Sequence, residues 1–286
     1  MKTNSRQGLL RFAAVALLAI VAGWQFFPLR SQMAAGRLPT LDASQTAWIG
    51  ERIFANECNL KLPCLTSWNA GEDFPSLGIG HFIWYREGQQ EAFVESFPAL
   101  LAWYQQKSVP VPAWLNELPG QSSPWPDRAA FQRDFDSARM VELRNFLAQT
   151  MPVQAEFIIN RLYSSVPALR QASQRPDEVE ALFYRIADSE LPVGIYALID
   201  YVNFKGEGTA PAERYRGEGW GLLQVLEHVL QRPDHASRAL LEQFADSAKY
   251  ILARRVANAP PERGEERWTA GWNKRMDTYT APHTVH

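Results

Sequence analysis

The chain has 286 residues and a mass of 32.4 kDa, which is enough to bury a full hydrophobic core in one or two domains. Its hydrophobic fraction of 46% and charged fraction of 21% are typical of a folded domain and exclude a disordered chain. The formal net charge of -2 argues against nucleic-acid binding, because the chain has no basic excess to neutralise phosphates.

The N-terminus has the pattern of a targeting segment, residues 1–30. Three basic residues precede an apolar run from Phe12 to Leu29, whose length is marginal for a membrane span and slightly long for a signal-peptide core. Small residues at 21–23 favour cleavage, whereas the aromatic end of the run and Arg30 favour a retained anchor. We expect residues 9–29 to anchor the protein in the inner membrane with the remainder in the periplasm. Secretion after signal cleavage is the alternative.

The first predicted elements follow in chain order. Residues 31–44 have the polar composition of a linker, and a helical periodicity begins at Ala43 and ends near Glu57. Residues 65–83 are rich in β-branched, aromatic and turn-forming residues, which predicts a short hairpin or meander. A second helix is predicted over 91–106, and a proline-rich loop over 109–127.

The rest of the chain is predicted to be helical almost to its end. Helices are expected at 128–149, 151–163, 165–173, 176–188, 194–202, 218–231 and 236–257. A loop over 206–219 interrupts them, and the residues after Met276 lack an apolar period, so 277–286 is predicted to be a disordered tail. The fold class is therefore α+β and mainly helical, with one small sheet near the N-terminus.

The two cysteines of the chain, Cys58 and Cys64, lie close together in sequence. Export to an oxidising compartment favours a local disulfide between them, and two free thiols are the alternative. The five histidines are scattered and form no cluster with the spacing of metal ligands. We therefore predict no metal and no cofactor.

The segment from Glu57 to His81, ECNLKLPCLTSWNAGEDFPSLGIGH, is the most informative in the chain. An acid ends a helical pattern, a polar turn follows, and the segment closes on Ser-Leu-Gly-Ile-Gly-His. This order resembles the active-site signature of the phage-type lysozymes, glycoside hydrolase family 24. In that family a catalytic Glu ends the first helix, a hairpin crosses the cleft, and a Thr/Ser-hydrophobic-Gly-hydrophobic-Gly-His run follows. The resemblance implies a two-lobed lysozyme-like fold. It also implies that the protein cleaves peptidoglycan.

Two later segments extend the resemblance. Residues 197–208, ALIDYVNFKGEG, are similar to the family's later core helix and its glycine-rich turn, and residues 263–272 are similar to its closing Arg-rich helix. The resemblance covers about residues 45–85 and 194–275. The segment between them is longer than a compact member of the family needs, which implies a helical elaboration around 100–190 within a domain spanning 45–276.

The resemblance assigns catalytic roles to three residues. Glycosidic cleavage needs a protonated carboxyl beside the leaving oxygen and, in most enzymes, a second group. Glu57 is the candidate acid, with a solvated glutamate at a helix end as the alternative. The position of the family's catalytic Asp falls on Ala70 here, a departure from the pattern. A small change in the hairpin turn could bring Glu72 or Asp73 to that place, and we expect Glu72, with a turn acid that only caps the hairpin as the alternative. Ser76 stands where the family's hydroxyl positions a water.

The remaining candidate residues surround this segment. Gly78 and Gly80 allow close approach of the backbone, and the resemblance gives His81 a structural role in which it pairs with an acid. Trp84 and Tyr85 are as often core residues as sugar contacts, and Lys205 and Glu207 fit a loop ion pair as well as a substrate contact. The candidate substrate-binding residues are Asn69, Asp73, Trp84, Tyr85, Lys205 and Glu207.

Three functions remain open from the sequence. The first is a muramidase that hydrolyses the β-1,4 glycan backbone, with peptidoglycan strands as the partner. The second is a lytic transglycosylase, which needs only one glutamate because the sugar's own hydroxyl closes an anhydro ring. The third is a catalytically inactive peptidoglycan-binding module of the cell envelope, for which an incomplete catalytic pair is expected.

Overall fold

The computed structural model describes residues 39–91, 93–211, 213–232 and 239–281. The expected anchor and residues 31–38 of the predicted linker lie outside the described residues. Among the residues that are described, no helix has the length and apolar character needed to cross a membrane. The described residues from Leu41 onward belong to one compact unit.

The first helix, α1, spans Ala43–Cys58, close to the predicted bounds. Asp42 begins it with a capping box: its carboxylate accepts a hydrogen bond from the Gln45 amide at 2.8 Å, and the Gln45 side chain accepts one from the Asp42 amide at 3.0 Å. This exchange satisfies donors that a helix N-terminus leaves unpaired. The helix ends at Asn59, which adopts the left-handed conformation with φ 51°. Glu57 is therefore held on the last turn of a well-defined helix.

A small antiparallel sheet follows, as predicted. After a 3-10 turn at Leu62–Leu65, the strands are β1 (Thr66–Ser67), β2 (Ser76–Leu77) and β3 (Phe82–Ile83), in the order β1-β2-β3. Leu77 pairs with Thr66 on one side and with Phe82 on the other. The sheet is held to the first helix by the 3-10 turn, which contacts both.

Eleven further helices are present in the described part of the chain. They are α2 (Phe97–Gln106), α3 (Ala113–Asn116), α4 (Arg128–Asp134), α5 (Ala138–Gln149), α6 (Met151–Ser164), α7 (Val166–Ala172), α8 (Pro176–Ala187), α9 (Val193–Lys205), α10 (Leu222–Leu230), α11 (Leu240–Asn258) and α12 (Thr269–Asp277). Short 3-10 turns lie at Pro119–Gln121, Pro261–Arg263, Glu265–Trp268 and Thr278–Thr280. The protein is thus mainly helical with a small antiparallel sheet.

Two predicted helices differ from the observed ones for local reasons. Helix α2 begins at Phe97 instead of 91, because Ser96 exchanges hydrogen bonds with the backbone of Ile83 and ties the preceding segment to β3. The predicted helix 128–149 is two helices, since Ser137 ends the first and caps the second by accepting a hydrogen bond from the Met140 amide at 3.3 Å. Side-chain capping competes with helix continuation at such serines.

The loop predicted over 206–219 contains a second, two-stranded hairpin. Its strands are β4 (Arg214–Tyr215) and β5 (Glu218–Gly219). Arg216 and Gly217 between them both have positive φ, 52° and 82°, as a two-residue hairpin turn of matching twist requires.

The predicted disorder of 277–286 is wrong for its first part. Helix α12 runs to Asp277, a 3-10 turn follows, and the Tyr279 side chain is fully buried. Its hydroxyl donates a hydrogen bond to Asp200 at 2.7 Å. A single aromatic residue in a polar stretch gives no periodic signal in the sequence. Tyr279 nevertheless fixes this segment, because its hydroxyl reaches the buried carboxylate of Asp200. Residues 282–286 lie outside the described part.

Helix α9 is the central element of the fold. Its residues from Val193 to Tyr201 are all buried, and it contacts α1, α6, α8 and α10. Gly194 makes the close approach to α8 possible, since a Cβ there would lie 1.9 Å from the carbonyl oxygen of Ile186. Helix α1 packs mainly along α6. The end of α1, the middle of α9 and the end of α12 consequently meet at one place.

Candidate active site

Glu57 lies in an ion pair on the last turn of α1. Its carboxylate Oε1 is 2.5 Å from Nη2 of Arg275 on α12, and 26% of the Glu57 side chain remains exposed. The two residues are separated by 218 positions in sequence. The candidate acid is therefore both reachable from solvent and held in a defined orientation.

Asp200 on α9 completes this pair as a three-residue cluster. Its side chain is 1% exposed and accepts hydrogen bonds from Nε and Nη2 of Arg275, at 2.8 and 2.7 Å. It also accepts from Asn56 Nδ2 at 2.8 Å and from the Tyr279 hydroxyl at 2.7 Å. Four donors to one buried carboxylate satisfy both of its oxygens, as a buried charge requires.

Two further hydroxyl groups, those of Tyr196 and Thr278, lie beside this cluster. The Tyr196 hydroxyl accepts from Asn56 at 2.8 Å and lies 2.9 Å from the hydroxyl of Thr278. Burial and the neighbouring Asp200 charge raise the pKa of both Tyr196 and Tyr279, so both remain protonated. The guanidinium of Arg275 also lies 4.3 Å from the ring centre of Phe204. These contacts hold Arg275 in place.

None of the other residues in this cluster is predicted from the sequence. Asn56, Asp200, Arg275 and Tyr279 come from three distant segments, so their proximity follows from the packing of α1, α9 and α12. One signal was available: Asp200 is the single charged residue in the otherwise apolar or aromatic stretch from Val193 to Val202. A lone acid in such a helix has to find a partner.

The glycines of the hairpin segment are required by a neighbouring side chain. Gly78 has φ +68°, and a Cβ there would lie 2.3 Å from Oε1 of Gln154. Gln154 is fully buried on α6, accepts from the Ile79 amide at 2.9 Å and donates to the Leu147 carbonyl at 2.7 Å. At Gly80, a Cβ would lie 2.6 Å from the ring of Phe82. The Gly-Ile-Gly run thus lets the hairpin lie directly on α6.

The disulfide between Cys58 and Cys64 is formed, which confirms that prediction. Sγ of Cys64 lies 3.7 Å from the carbonyl oxygen of Glu57 and 3.9 Å from Nε2 of His81. The bridge therefore brings the end of α1, the following loop and the hairpin together. The two sulfurs and His81 lie within 4.8 Å of one another, but bonded sulfurs offer no thiolate to a metal.

His81 differs from the role that the resemblance gave it. Its φ is 46°, and no carboxylate pairs with its ring within the residues described. The contact that its ring makes is with Cys64. His81 thus lies at the junction of hairpin and disulfide, and its structural role stays a prediction.

Glu72 lies in the turn between β1 and β2. Its Oε2 accepts from Asn69 Nδ2 at 3.1 Å, its amide donates to the Asn69 carbonyl at 3.3 Å, and its own carbonyl accepts from Trp68 Nε1 at 2.7 Å. Asn69 and Asp73 are exposed at the same tip, whereas Ser76 is 4% exposed within the sheet. These contacts are those of a turn acid, and none of them links Glu72 to Glu57.

Trp84 and Tyr85 are core residues, so their expected role in sugar binding is wrong. Trp84 is fully buried, donates to the Gln121 carbonyl at 2.7 Å and lies 4.6 Å from the ring of Phe97. Tyr85 is 5% exposed and donates to the Phe93 carbonyl at 2.8 Å. Aromatic residues after a short strand pack inward here because the proline-rich loop covers them.

Lys205 is also buried, which corrects its placement as an open substrate contact. Its Nζ lies 3.9 Å from the ring centre of Phe204 and 3.5 Å from that of Trp272. Burial, together with the charge of Arg255, lowers the pKa of Lys205 to about 7. Within the described residues it forms no ion pair with Glu207.

Glu207 lines a cavity of about 300 Å³. Gly80 and Phe82 of the hairpin form one side, Ile158 and Arg161 of α6 a second, and Val202 of α9 a third. Glu57 is not part of the lining. The cavity and the Glu57 cluster share one element, α9, because Ile199 lines the cavity and the neighbouring Asp200 belongs to the cluster. A ligand in the cavity would therefore contact the helix that also carries Asp200.

No protein-family model, curated protein or solved structure matches this chain.

Proposed function

We propose that the protein is a peptidoglycan-cleaving glycosidase, a muramidase that hydrolyses the β-1,4 glycan backbone with Glu57 as general acid. The observation that carries the proposal is the Glu57–Arg275–Asp200 cluster, which holds a partly exposed glutamate beside the Ser76–His81 hairpin. The order of these features along the chain resembles that of the phage-type lysozymes.

The charges of the cluster suit an acid that gives up a proton. Two carboxylates face the single guanidinium of Arg275, and Asp200 is the buried one. When Glu57 passes its proton to the leaving glycosidic oxygen, the carboxylate that results lies 2.5 Å from Arg275. A positioned opposite charge stabilises the group that becomes charged in the transition state.

The proposal includes a two-lobed fold with a cleft. One lobe holds the sheet, and the other holds α9 to α12. The cavity between the hairpin, α6 and α9 is one part of that cleft. Its size of about 300 Å³ is at the lower end for ligand pockets.

A second candidate is a lytic transglycosylase. It is favoured by Ala70 at the position of the expected acid and by the bonding of Glu72 within its own turn. In this reaction Glu57 first protonates the leaving oxygen and then, as a carboxylate, removes the proton from the sugar hydroxyl that attacks the anomeric carbon. This reaction needs no second carboxylate, and it consumes no water.

The proposed location is the periplasm, with an N-terminal anchor in the inner membrane. The Cys58–Cys64 disulfide supports it, since such bonds persist in oxidising compartments.

The test is digestion of purified peptidoglycan sacculi by the full-length protein, with products identified by mass spectrometry. We expect soluble fragments from the wild type and a loss of about 10²–10⁴-fold in Glu57→Gln, the usual contribution of a general acid. Glu51→Gln is the matched control, because Glu51 is an exposed acid on the same helix. Its rate should equal that of the wild type.

The fragments also separate the candidate reactions. Reducing ends identify a hydrolase, and anhydro ends, lighter by one water, identify a transglycosylase. A folded wild type that binds sacculi and releases nothing contradicts both, and leaves the peptidoglycan-binding module. Equal release by Glu57→Gln removes Glu57 from the mechanism.

A further inference from the structure

The cavity that Glu207 lines has an apolar floor. Ile158 and Leu162 of α6 face it together with Phe82 of the hairpin and Ile199 and Val202 of α9. Their spacing on α6 and α9 follows the helical period, so each helix turns one continuous apolar face towards the cavity. The floor suits an aliphatic chain.

Two opposite charges line this same cavity without bonding to each other. Arg161 and Glu207 are close enough for each to influence the pKa of the other, yet no salt bridge or side-chain hydrogen bond of either is present among the described residues. Burial and the charge of Glu213 raise the pKa of Glu207, and Arg161 opposes this change. A half-buried carboxylate without a hydrogen-bond partner is costly, so a cation placed there gains more than it would at an open surface.

The residues around Glu207 and Arg161 make the two ends of the cavity opposite in charge. Glu213 is bound to the backbone amides of Gly208 and Ala210, at 2.7 and 3.2 Å, and stays beside Glu207. That end of the cavity is therefore negative, while the α6 end presents the guanidinium of Arg161. Guanidinium groups match the geometry of carboxylates.

We propose that this cavity binds a zwitterionic diamino acid of the peptidoglycan peptide stem, with its ammonium at Glu207, its carboxylate at Arg161 and its aliphatic chain on the apolar floor. The assignment rests on the proposed function, and adds to it that the enzyme recognises the stem peptide as well as the glycan. A neutral sugar ring fits the cavity less well, since it would partly desolvate the Glu207 carboxylate without bringing a positive charge to it.

The experiment measures binding to the full-length Glu57→Gln protein by calorimetry, so that no cleavage occurs. The probes are the free stem tripeptide ending in meso-diaminopimelate, the same peptide with its ammonium acetylated, and a tetramer of N-acetylglucosamine. We expect Glu207→Gln to weaken binding of the free tripeptide about tenfold, which corresponds to about 1.4 kcal/mol. Acetylation should weaken binding to the parent protein equally, with little further effect in Glu207→Gln.

Arg161→Gln should weaken tripeptide binding by a similar factor. Glu117→Gln and Arg133→Gln, exposed residues away from the cavity, should have no effect. The inference is overturned if Glu207→Gln binds the tripeptide as tightly as its parent, or if binding of the sugar tetramer falls by the same factor. The wild type could leave sacculi uncut while Glu207→Gln still weakens tripeptide binding. That result would contradict the proposed cleavage and support this inference.

Discussion

Arg275 is the residue on which the geometry of the candidate site depends. It is the only group in the described part of the chain that bonds to both Glu57 and Asp200. Glu57 retains solvent on one side, whereas Asp200 is almost fully buried. Removing the guanidinium therefore has unequal effects on the two carboxylates, and the larger cost falls on Asp200.

We predict that Arg275→Gln lowers the free energy of unfolding by about 3–5 kcal/mol, because it leaves a buried carboxylate without its counter-charge. Urea denaturation at neutral pH measures the change. Arg133→Gln is the control, since Arg133 is exposed on α4, and it should differ from the wild type by less than about 0.5 kcal/mol. A loss below about 1 kcal/mol in Arg275→Gln would show that Asp200 does not depend on this ion pair.

At the scale of elements, one side chain joins the hairpin to the helical part. Gln154 on α6 accepts from the Ile79 amide with its carbonyl oxygen and donates to the Leu147 carbonyl with its amide nitrogen. The hairpin, α6 and α5 thus share one fully buried carboxamide. The hydrogen bonds of Gln154 and the pairing of the strands together fix the position of the Gly-Ile-Gly run.

Gln154→Leu should lower the free energy of unfolding by about 2–4 kcal/mol, since it leaves two buried backbone groups without partners. The Ile79 amide should also exchange its hydrogen faster, which hydrogen-exchange mass spectrometry detects over this segment. Gln149→Leu, an exposed change at the end of α5, supplies the comparison. Unchanged exchange at Ile79 would mean that the β-sheet alone holds the hairpin.

At the scale of the whole molecule, a buried carboxylate ties the C-terminal elements together. Glu265 is 1% exposed and accepts hydrogen bonds from Nε and Nη2 of Arg255 on α11, from the Tyr215 hydroxyl on β4 and from Arg263. Burial alone would raise the pKa of Glu265, but the hydrogen bonds from Arg255 and Tyr215 and the charge of Arg255 outweigh it and lower the pKa to about 2.

This lowered pKa predicts how stability depends on acid. The unfolded chain binds a proton at Glu265 near pH 4.5 and the folded protein only near pH 2, so the stabilisation is complete above pH 4.5. It is lost as the pH falls from about 4.5 to about 2, in total about 3 kcal/mol. Glu265→Gln should be less stable at pH 7 and should lose less stability over this range.

Urea unfolding of both proteins at pH 6, 4 and 2.5 measures this difference. Glu117→Gln, which removes an exposed carboxylate, should follow the wild type at every pH. Parallel pH curves for the wild type and Glu265→Gln would show that other carboxylates control the acid sensitivity.

Much of the fold near the site follows from local sequence. The helical period from Ala43 to Glu57 and the turn-rich stretch after it predict α1 and the small sheet at nearly the observed positions. The two cysteines pair as expected because few residues separate them. In these cases the interactions that decide the structure lie within a few residues of one another, so they can be derived from the sequence alone.

The partners of Glu57 and the burial of the aromatic residues were decided by the tertiary structure. Asp200 and Arg275 reach Glu57 only because α9 and α12 pack against the end of α1. Trp84 became a core residue because a distant loop covers it, and Lys205 because aromatic rings enclose it. Sequence shows which residues can carry charge or bury a ring. Long-range packing decides which of these residues come into contact and which are buried, because the energies of contact and burial depend on segments far apart in the chain.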